Sequence, residues 1–481
     1  MITGVKNQLR RLLPKNTFAR SVSVLVGGTA SAQLLLVLAA PILTRLYSPE
    51  DFGLLAVYAS LLALIGVISS LRYELAIPLP EDDGEAANVA VLCLILVVIS
   101  TILTGVLVLL MGSAIAAALG VPTLAGYLWL LPVGVLLTGF YSVFNYWAVR
   151  TKRFTTIAGT KLRQAVATLA IQLAAFKLGG IALLLGQVAG QGVGTTTLGL
   201  PALKSAGFKQ VSWAGVKKAA GRYRRFPIFS TWAGFANTAG LQLPPLMFAA
   251  LFSPAAAGLY TLANRVLTLP MNLVGGAIGQ VFFANAAEAH RVGKLGPLVA
   301  QLHAKLAHIG LPPAILLMLL GPALFAFVFG EQWRQAGEFA QWMAPWLYLV
   351  FVSSPLSTLF AVAEAQLQGL AFQSILLVSR VAAIGVGAWV GDLTLTMMLF
   401  AGVSAVCWLG FLFWVAHIAG NSAKTMWHPT LHAAGFALII ASPVVATLFF
   451  QVVTMVLWLI TLSISAILLA SRYWFLLRKA Y

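Results

Sequence analysis

Long apolar runs follow one another along almost the whole of this 481-residue chain. A run of roughly 18 residues or more is long enough to cross a bilayer as a helix. Within hydrocarbon every backbone N–H and C=O must be satisfied inside its own segment, so each run predicts an α-helix. We expect about fourteen spans, at 21–44, 53–77, 87–110, 123–147, 154–177, 180–201, 227–251, 256–284, 298–329, 340–363, 369–390, 394–418, 431–451 and 453–475.

The proportion of charged residues supports this interpretation. They make up 9% of the chain, and apolar residues make up 60%, whereas an ordinary soluble domain carries about 25% charged residues. So few charges cannot cover a surface in contact with water, so the surrounding solvent must be lipid. The predicted fold class is therefore an all-α integral membrane protein.

Basic residues are concentrated in every second connection between the predicted spans. The positive-inside rule makes those connections cytoplasmic and places both termini there too. Because the charges lie in short gaps between apolar runs, the net charge of +18 predicts contact with membrane lipids and no nucleic-acid binding. The connections predicted to be cytoplasmic hold Arg150, Lys152, Arg153, Lys204, Lys209, Lys217, Lys218, Arg222, Arg224, Arg225, Arg291, Lys294 and Lys424; the outward ones hold Arg45, Lys177 and Arg334.

The sequence offers little material for metal or nucleophilic chemistry. Its two cysteines, Cys93 and Cys407, both lie inside apolar runs, and the six histidines show no metal-binding spacing. All predicted outward connections are short, which leaves no extracytoplasmic domain for a catalytic site. We therefore expect no metal and no other cofactor, and a protein that is not an enzyme.

An internal repeat divides the chain. Residues 46–54 read LYSPEDFGL and residues 251–259 read LFSPAAAGL, with five of nine positions identical at a constant offset of 205. A weaker echo pairs 111–120 with 320–330. Both Ser-Pro turns follow an odd-numbered span, so the halves share one orientation in the membrane. The predicted domains are bundles of six helices at 1–201 and 227–420, a basic cytoplasmic linker at 202–226, and two further helices with a basic tail at 421–481.

Several short motifs recur in a specific order and spacing up to about residue 390. Together they resemble the polysaccharide flippase (Wzx-type) branch of the multidrug/oligosaccharidyl-lipid/polysaccharide exporter superfamily. The motifs are Gly28-Thr29-x3-Gln33, Pro41-x2-Thr44-Arg45-Leu46-Tyr47-Ser48-Pro49-x2-Phe52-Gly53, Arg72-Tyr73-Glu74-x-Ala76-Ile77-x-Leu79-Pro80, Gly258-Leu259-Tyr260-x4-Arg265-x4-Pro270, Ile278-Gly279-Gln280-Val281-Phe282-Phe283, Phe329-Gly330-x2-Trp333-x2-Ala336-Gly337, Ala344-Pro345-Trp346 and Ser353-Ser354-Pro355-Leu356.

The resemblance implies two six-helix bundles around a central cavity, followed by two C-terminal helices, in a bacterial inner membrane. It also implies transfer of undecaprenyl-pyrophosphate-linked oligosaccharides from the cytoplasmic to the periplasmic leaflet, for surface polymers such as lipopolysaccharide O-antigen or exopolysaccharide. The implied partners are the lipid-linked oligosaccharide, membrane lipids and a coupling H⁺ or Na⁺. Association with other polysaccharide assembly proteins is left open.

Charged side chains at bilayer depth are the first candidates for substrate contacts, because each costs about 2.5–3.5 kcal/mol to insert. Arg265 and Arg380 each lie about ten residues into a span, or roughly 15 Å at 1.5 Å per residue. The resemblance makes Arg265 a cavity-lining residue; a buried ion pair is the alternative for both. Arg72 and Arg163 are further candidates, and the Arg72 stem is also able to snorkel to the interface.

Polar and acidic residues complete the candidate set. Asn264 and Tyr58 could hydrogen-bond or stack on sugar rings, although aromatic residues near helix ends more often form interfacial belts. Glu74 and Glu364 are the carboxylates expected within or at the edge of the membrane, and either could carry a coupling ion. For Glu74 the alternative is a local pair with a basic neighbour.

Two rival functions stay open. One is a lipid II or multidrug exporter of the same superfamily. A cationic-drug exporter should carry acidic residues at depth, whereas the deep charges here are mainly basic and favour an anionic substrate. The other is a membrane enzyme such as an O-antigen polymerase or ligase, for which a large extracytoplasmic loop is expected.

Overall fold

The computed structural model describes residues 17–363, 365–449, 463–465, 468–469 and 471. These residues are almost entirely helical and include no strand, which confirms the predicted all-α class. The helices up to residue 449 are α1 (Thr17–Leu38), α2 (Ala40–Leu46), α3 (Pro49–Ile68), α4 (Asp83–Ala118), α5 (Leu130–Arg150), α6 (Phe154–Ala174), α7 (Gly180–Leu203), α8 (Trp213–Arg222), α9 (Thr231–Leu251), α10 (Pro254–Arg291), α11 (Leu295–Phe329), α12 (Arg334–Ser353), α13 (Leu359–Val362), α14 (Gln366–Val390), α15 (Leu393–Ile418) and α16 (Ala423–Phe449).

The chain forms two compact units, Met1–Thr261 and Leu262–Tyr481. The first unit contains α1 to α9 and the first two turns of α10, and the second contains the rest of α10 and α11 to α16. The domain boundaries that the repeat predicts, at 201, 226 and 420, stay predictions.

Seven stretches among the described helices are long and apolar enough to cross a membrane. The protein is therefore a multi-pass membrane protein. The predicted last span, 453–475, lies largely outside the described residues. The seven stretches are Val24–Leu46, Pro49–Ile68, Asp83–Ala118, Leu130–Arg150, Leu295–Phe329, Leu367–Val390 and Leu393–Ile418.

Several of the predicted spans are interrupted, and two of the breaks have a clear physical cause. The span expected at 53–77 ends as a helix at Ile68, because Leu71 (φ 50°) and Arg72 (φ 61°) adopt the left-handed conformation. The span expected at 340–363 is broken after Ser353 by a 3₁₀ turn that contains Pro355. Proline has no N–H to continue the helical hydrogen bonding.

The internal repeat has a structural counterpart inside the first unit. Ser48 accepts a hydrogen bond from the backbone N–H of Asp51 at the start of α3, and Ser253 accepts one from that of Ala256 at the start of α10. In both copies a proline follows the capping serine, where its missing N–H costs nothing. The weaker echo also has a shared feature, since Gly120 and Gly330 both have positive φ (68° and 107°).

The two Ser-Pro turns also pack against each other reciprocally. A Cβ atom added to Gly53 would lie 1.8 Å from the Pro254 carbonyl oxygen, and one added to Gly258 would lie 2.0 Å from the Pro49 carbonyl oxygen. Both positions therefore require glycine for backbone-to-backbone contact. This symmetric exchange of contacts is what two related helices make around a two-fold axis.

A glycine row on α7 explains the packing of the first unit further. Gly186, Gly190 and Gly194 lie against the backbone or side chains of Gln164, Thr168 and Gln172 on α6. A Cβ at any of these glycines would come within 2.5 Å of α6. The sequence predicts this row to be a close helix-packing face, and the geometry confirms it.

The connections predicted to be cytoplasmic meet at one end of the first unit. Arg150, at the end of α5, forms an ion pair of 2.9 Å with Asp83, at the start of α4. Arg222, at the end of α8, pairs with Glu85. Two carboxylates in the first turn of α4 are therefore paired with basic residues from two other connections, as expected when all three lie on the same side of the membrane.

Candidate functional site

Arg265 is a half-buried cation in the second unit, on α10. It follows Pro254 by eleven residues, which places it about 16 Å along the helix at 1.5 Å per residue. That distance is about half the hydrocarbon thickness of roughly 30 Å. Among the residues that the structure describes, Arg265 forms no hydrogen bond and no ion pair. Its five donors are therefore available for an anionic group.

The position equivalent to Arg265 in the first copy of the repeat is Ser60, at the offset of 205. Ser60 is buried on α3, and its hydroxyl donates to Oε1 of Gln242 on α9 at 2.9 Å. The first copy therefore uses this position to pack two helices. The second copy places a cation there, so the two copies share a backbone motif but differ in charge.

Asn264 adjoins Arg265 on α10 and is also half-buried. Its backbone carbonyl accepts a hydrogen bond of 2.7 Å from the hydroxyl of Thr268, one turn later. The side-chain amide of Asn264 makes no hydrogen bond to a described residue.

Arg380, on α14, has a different environment within the same unit. Its guanidinium lies 4.7 Å from the ring centroid of Trp346 and 5.3 Å from that of Phe400, and its Nε donates to the Ser404 hydroxyl at 2.9 Å. Aromatic faces stabilise a cation electrostatically. Arg380 therefore joins α12, α14 and α15, and no hydrogen bond or ion pair links it to Arg265 in the described part of the chain.

Arg72 and Glu74 come together in the strained turn after α3. Arg72 Nη1 lies 3.6 Å from Glu74 Oε1, and the Ser70 hydroxyl donates to the same carboxylate. Glu74 is only 3% exposed. Arg72 Nε is buried and has no hydrogen-bond partner in the described part of the chain, and the guanidinium lies against Gly234 of α9. The local pair with a basic neighbour that the sequence offers as the alternative for Glu74 is thus present.

The structure gives no support for a substrate or ion contact at the remaining candidates, Arg163, Tyr58 and Glu364. Arg163 is exposed on α6. Tyr58 is fully buried, and its hydroxyl donates to the Leu130 carbonyl at 3.1 Å, so in this conformation it packs α3 on α5 and no face of it is open to a sugar. Glu364 lies outside the described residues.

His303 is a buried polar residue that the sequence did not single out. It is 1% exposed on α11, and its Nε2 lies 3.0 Å from the Thr430 hydroxyl on α16, while its Nδ1 has no partner among the described residues. The hydropathy pattern places His303 near the start of the predicted span at 298–329 and carries no signal that this residue is buried. Among the described residues there is also no group of three or more His, Cys, Asp and Glu suited to a metal ion.

Comparisons with known proteins agree with this architecture. Residues 42–338 match the family model described as "Polysaccharide biosynthesis protein". No curated protein sequence matches the chain.

Solved structures show similarity over most of the chain. The lipid II flippase MurJ, in an inward closed conformation, has a TM-score of 0.72 at 11% identity, covering 95% of this chain and 99% of that one. An inward-facing multidrug resistance transporter of the MATE family has a TM-score of 0.57 at 14% identity, covering 83% and 96%. A MOP superfamily transporter from Pyrococcus furiosus, described as having a binding pocket of reverse polarity, gives 0.53 at 16% identity, covering 83% and 96%. At these identities the likeness shows a shared fold.

Proposed function

The chain belongs to the family of polysaccharide biosynthesis proteins, and from this premise we propose that it is a flippase for undecaprenyl-pyrophosphate-linked oligosaccharides. The substrate moves from the cytoplasmic to the periplasmic leaflet of a bacterial inner membrane and supplies a surface polysaccharide such as O-antigen or exopolysaccharide. The fold supports the proposal because it is that of transporters.

One observation carries the choice of substrate class. A pyrophosphate cannot cross hydrocarbon unpaired, since a desolvated anion is costly. Arg265 offers a half-buried guanidinium at mid-span depth without an acidic partner among the described residues. Guanidinium donors match phosphate oxygens in pairs. In this proposal Arg265 binds the pyrophosphate and the neighbouring Asn264 amide contacts the first sugar.

In the same proposal, Glu74 is the residue that couples transport to the movement of a proton. The Glu74 carboxylate is nearly inaccessible to solvent. It lies in the same turn as Arg72, whose Nε has no hydrogen-bond acceptor among the described residues. An anion that recruits Arg72 would leave Glu74 without its counter-charge and favour its protonation. Glu74→Gln should then remove the dependence of transport on a pH gradient while substrate binding survives. Glu364→Gln is the parallel variant for the second carboxylate.

Proteoliposomes containing the purified protein test the function. A defined undecaprenyl-pyrophosphate oligosaccharide is added to the inner leaflet, and its appearance outside is measured with an impermeant glycan-oxidising reagent. The proposal expects movement well above that in protein-free vesicles. No movement of any repeat-unit substrate would contradict it.

A second candidate, lipid II export, has a specific observation in its favour, namely the extensive fold match to a lipid II flippase. Lipid II shares the undecaprenyl pyrophosphate, so Arg265 would serve both substrates. The same assay with lipid II in parallel separates the two functions. Faster movement of lipid II than of oligosaccharide units would reassign the substrate.

The orientation in the membrane has its own test. Single cysteines in 204–225, 291–294 or 478–481 should be shielded from an impermeant thiol reagent in intact cells. Cysteines in 49–51, 254–256 or 332–336 should react. Labelling of the 204–225 segment from outside would reverse the proposed orientation, and with it the direction of transport.

A further inference from the structure

Helix α8 is fastened firmly to the inner end of the first unit. Val216 and Ala219 are buried, and Tyr223 just beyond the helix is buried too. Spacings of three and four residues place all three on one side of a helix. At its start, Asn88 of α4 accepts a hydrogen bond of 3.0 Å from the Ser212 N–H.

Further contacts fix the other end of α8. The Tyr73 hydroxyl donates to the Ala220 carbonyl at 2.9 Å, and Arg222 pairs with Glu85. The segment predicted as a basic linker therefore contains a helix held in one position on the first unit. Its remaining surface is presented in a fixed direction.

That remaining surface is basic and aromatic. Trp213 is 64% exposed, with Lys217 Nζ 5.7 Å from its ring centroid. None of the four exposed cations forms an ion pair with a residue that the structure describes. We call the exposed basic and aromatic residues of α8 and of the turn that follows it the basic face; its members are Trp213, Lys217 and Lys218 on the helix and Arg224 and Arg225 just beyond it.

The nearby acidic residues do not neutralise the basic face. Asp83 and Glu85 are paired with Arg150 and Arg222. Asp82 caps the start of α4 by accepting a hydrogen bond from the Glu85 N–H at 2.8 Å. Glu81 and Asp82 are both exposed in this turn and form no ion pair with a described residue. Four cations against these two carboxylates leave the face positive.

The depth of the face matches lipid headgroups. Helix α4 has 36 residues, or about 54 Å, against a hydrocarbon thickness of roughly 30 Å. The helix is therefore longer than the hydrocarbon is thick, and its start, which carries Asp83 and Glu85, is the end expected among the headgroups. Asn88, which anchors α8, lies only about 8 Å from the start of α4. An exposed tryptophan beside a lysine at this level is typical of the membrane interface.

We propose that the basic face binds the headgroups of anionic phospholipids in the inner leaflet. Charge complementarity selects an anionic over a zwitterionic lipid, and Trp213 inserts its ring among the headgroups. The bound lipids hold the inner end of the first unit at a fixed level in the membrane.

Native mass spectrometry of the full-length protein in detergent tests this proposal. The protein is titrated with phosphatidylglycerol and, separately, with phosphatidylcholine. The variant K217Q/K218Q/R224Q/R225Q removes the charges, and R291Q/K294Q/K424Q is the control, since it removes basic residues of other inner connections. All three proteins should elute identically on gel filtration, because every substituted residue is exposed.

The wild-type protein should prefer phosphatidylglycerol, and the preference should fall as salt rises. One cation near an anionic surface changes affinity about fivefold, so the quadruple variant should bind phosphatidylglycerol at least tenfold more weakly and phosphatidylcholine equally. The control should change less than twofold. An unchanged preference in the quadruple variant, an equal loss in the control, or a salt-independent wild-type preference would each overturn the assignment. Flipping need not be measured, so failure of the proposed function would leave this outcome intact.

Discussion

Helices α3 and α10 begin alike and continue differently. Each starts with a capping serine, a proline and a glycine in contact with the other helix. Helix α3 then ends at Ile68 and enters the strained turn with Arg72 and Glu74. Helix α10 runs on unbroken for 38 residues and carries Arg265 where α3 carries the packed Ser60.

The difference between α3 and α10 distinguishes residues that hold the helices together from residues that are candidates for transport. The shared part of the repeat consists of backbone contacts, which depend on glycine and tolerate no side chain. The divergent part consists of charged residues, and each copy has its own set. We therefore expect equivalent substitutions in the shared part to impair folding to a similar extent in either copy. Substitutions in the divergent part should impair transport only in the copy that carries the charged residue.

The largest effect is expected at the shared glycines. In Gly53→Leu or Gly258→Leu the new Cβ would overlap a proline carbonyl of the other helix. The backbones must move apart, which should cost about 3 kcal/mol or more. The amount of folded protein in detergent extracts, measured by fluorescence-detected gel filtration, should fall to a similar extent in both variants. Gly27→Leu, at a site with open space for a side chain, is the control. A strong loss in one copy alone would break the proposed equivalence.

The next effect is expected at the divergent pair Arg265 and Ser60. Arg265→Ala should reduce flipping per molecule about a hundredfold, corresponding to about 2.7 kcal/mol, with normal accumulation in the membrane. Arg265→Lys keeps the charge but not the paired donors, so it should be intermediate. Ser60→Ala is the matched control and should retain activity within a factor of about three, because it loses one hydrogen bond to Gln242. The measurement is the initial rate of flipping per protein molecule in proteoliposomes. If Arg265→Ala lowers abundance and leaves the rate per molecule unchanged, Arg265 is structural.

A smaller effect is expected at Arg72. Removal of its guanidinium leaves the buried Glu74 carboxylate without its ion-pair partner, and we expect a loss of about 1–2 kcal/mol in the free energy of unfolding, because the pair is long and Arg72 is partly exposed. The double variant Arg72→Ala/Glu74→Gln should recover most of that stability. Thermal unfolding in detergent provides the measurement. Additive losses in the double variant would show that the two residues are not coupled in the folded protein.

The smallest effect on transport is expected at Arg380. Arg380→Gln removes a cation from between Trp346 and Phe400 and should cost about 1–2 kcal/mol of stability. Flipping per folded molecule should stay within about twofold of wild type, in contrast to Arg265→Ala. A selective loss of flipping at normal stability would place Arg380 on the substrate path.

Much of the fold follows from the sequence for a physical reason. Hydrocarbon permits only internally bonded helices here, so the apolar runs define the architecture, and the Ser-Pro-x-x-x-Gly repeat marks the related positions. The end of α3 was missed because its left-handed residues are Leu71 and Arg72, and no glycine marked the turn.

The candidate residues were harder to rank from the sequence. Arg265 and Arg380 have the same depth in the hydropathy pattern. They differ in partners contributed by distant helices, since Trp346 and Ser404 reach Arg380 from other parts of the chain. The burial of His303 against Thr430 is likewise a tertiary contact. Hydropathy records the cost of a charge at depth, and it contains no information on what surrounds that charge.

The most direct test of the central claim is the preference of the protein for pyrophosphate. Binding of undecaprenyl pyrophosphate and of undecaprenol, which lacks the anion, is compared in wild type, Arg265→Ala and Ser60→Ala. If Arg265 is the partner of the pyrophosphate, wild type and Ser60→Ala should prefer undecaprenyl pyrophosphate equally. Arg265→Ala should lose at least tenfold of that preference while binding undecaprenol normally. An Arg265→Ala protein that keeps the full preference for the pyrophosphate would contradict the account.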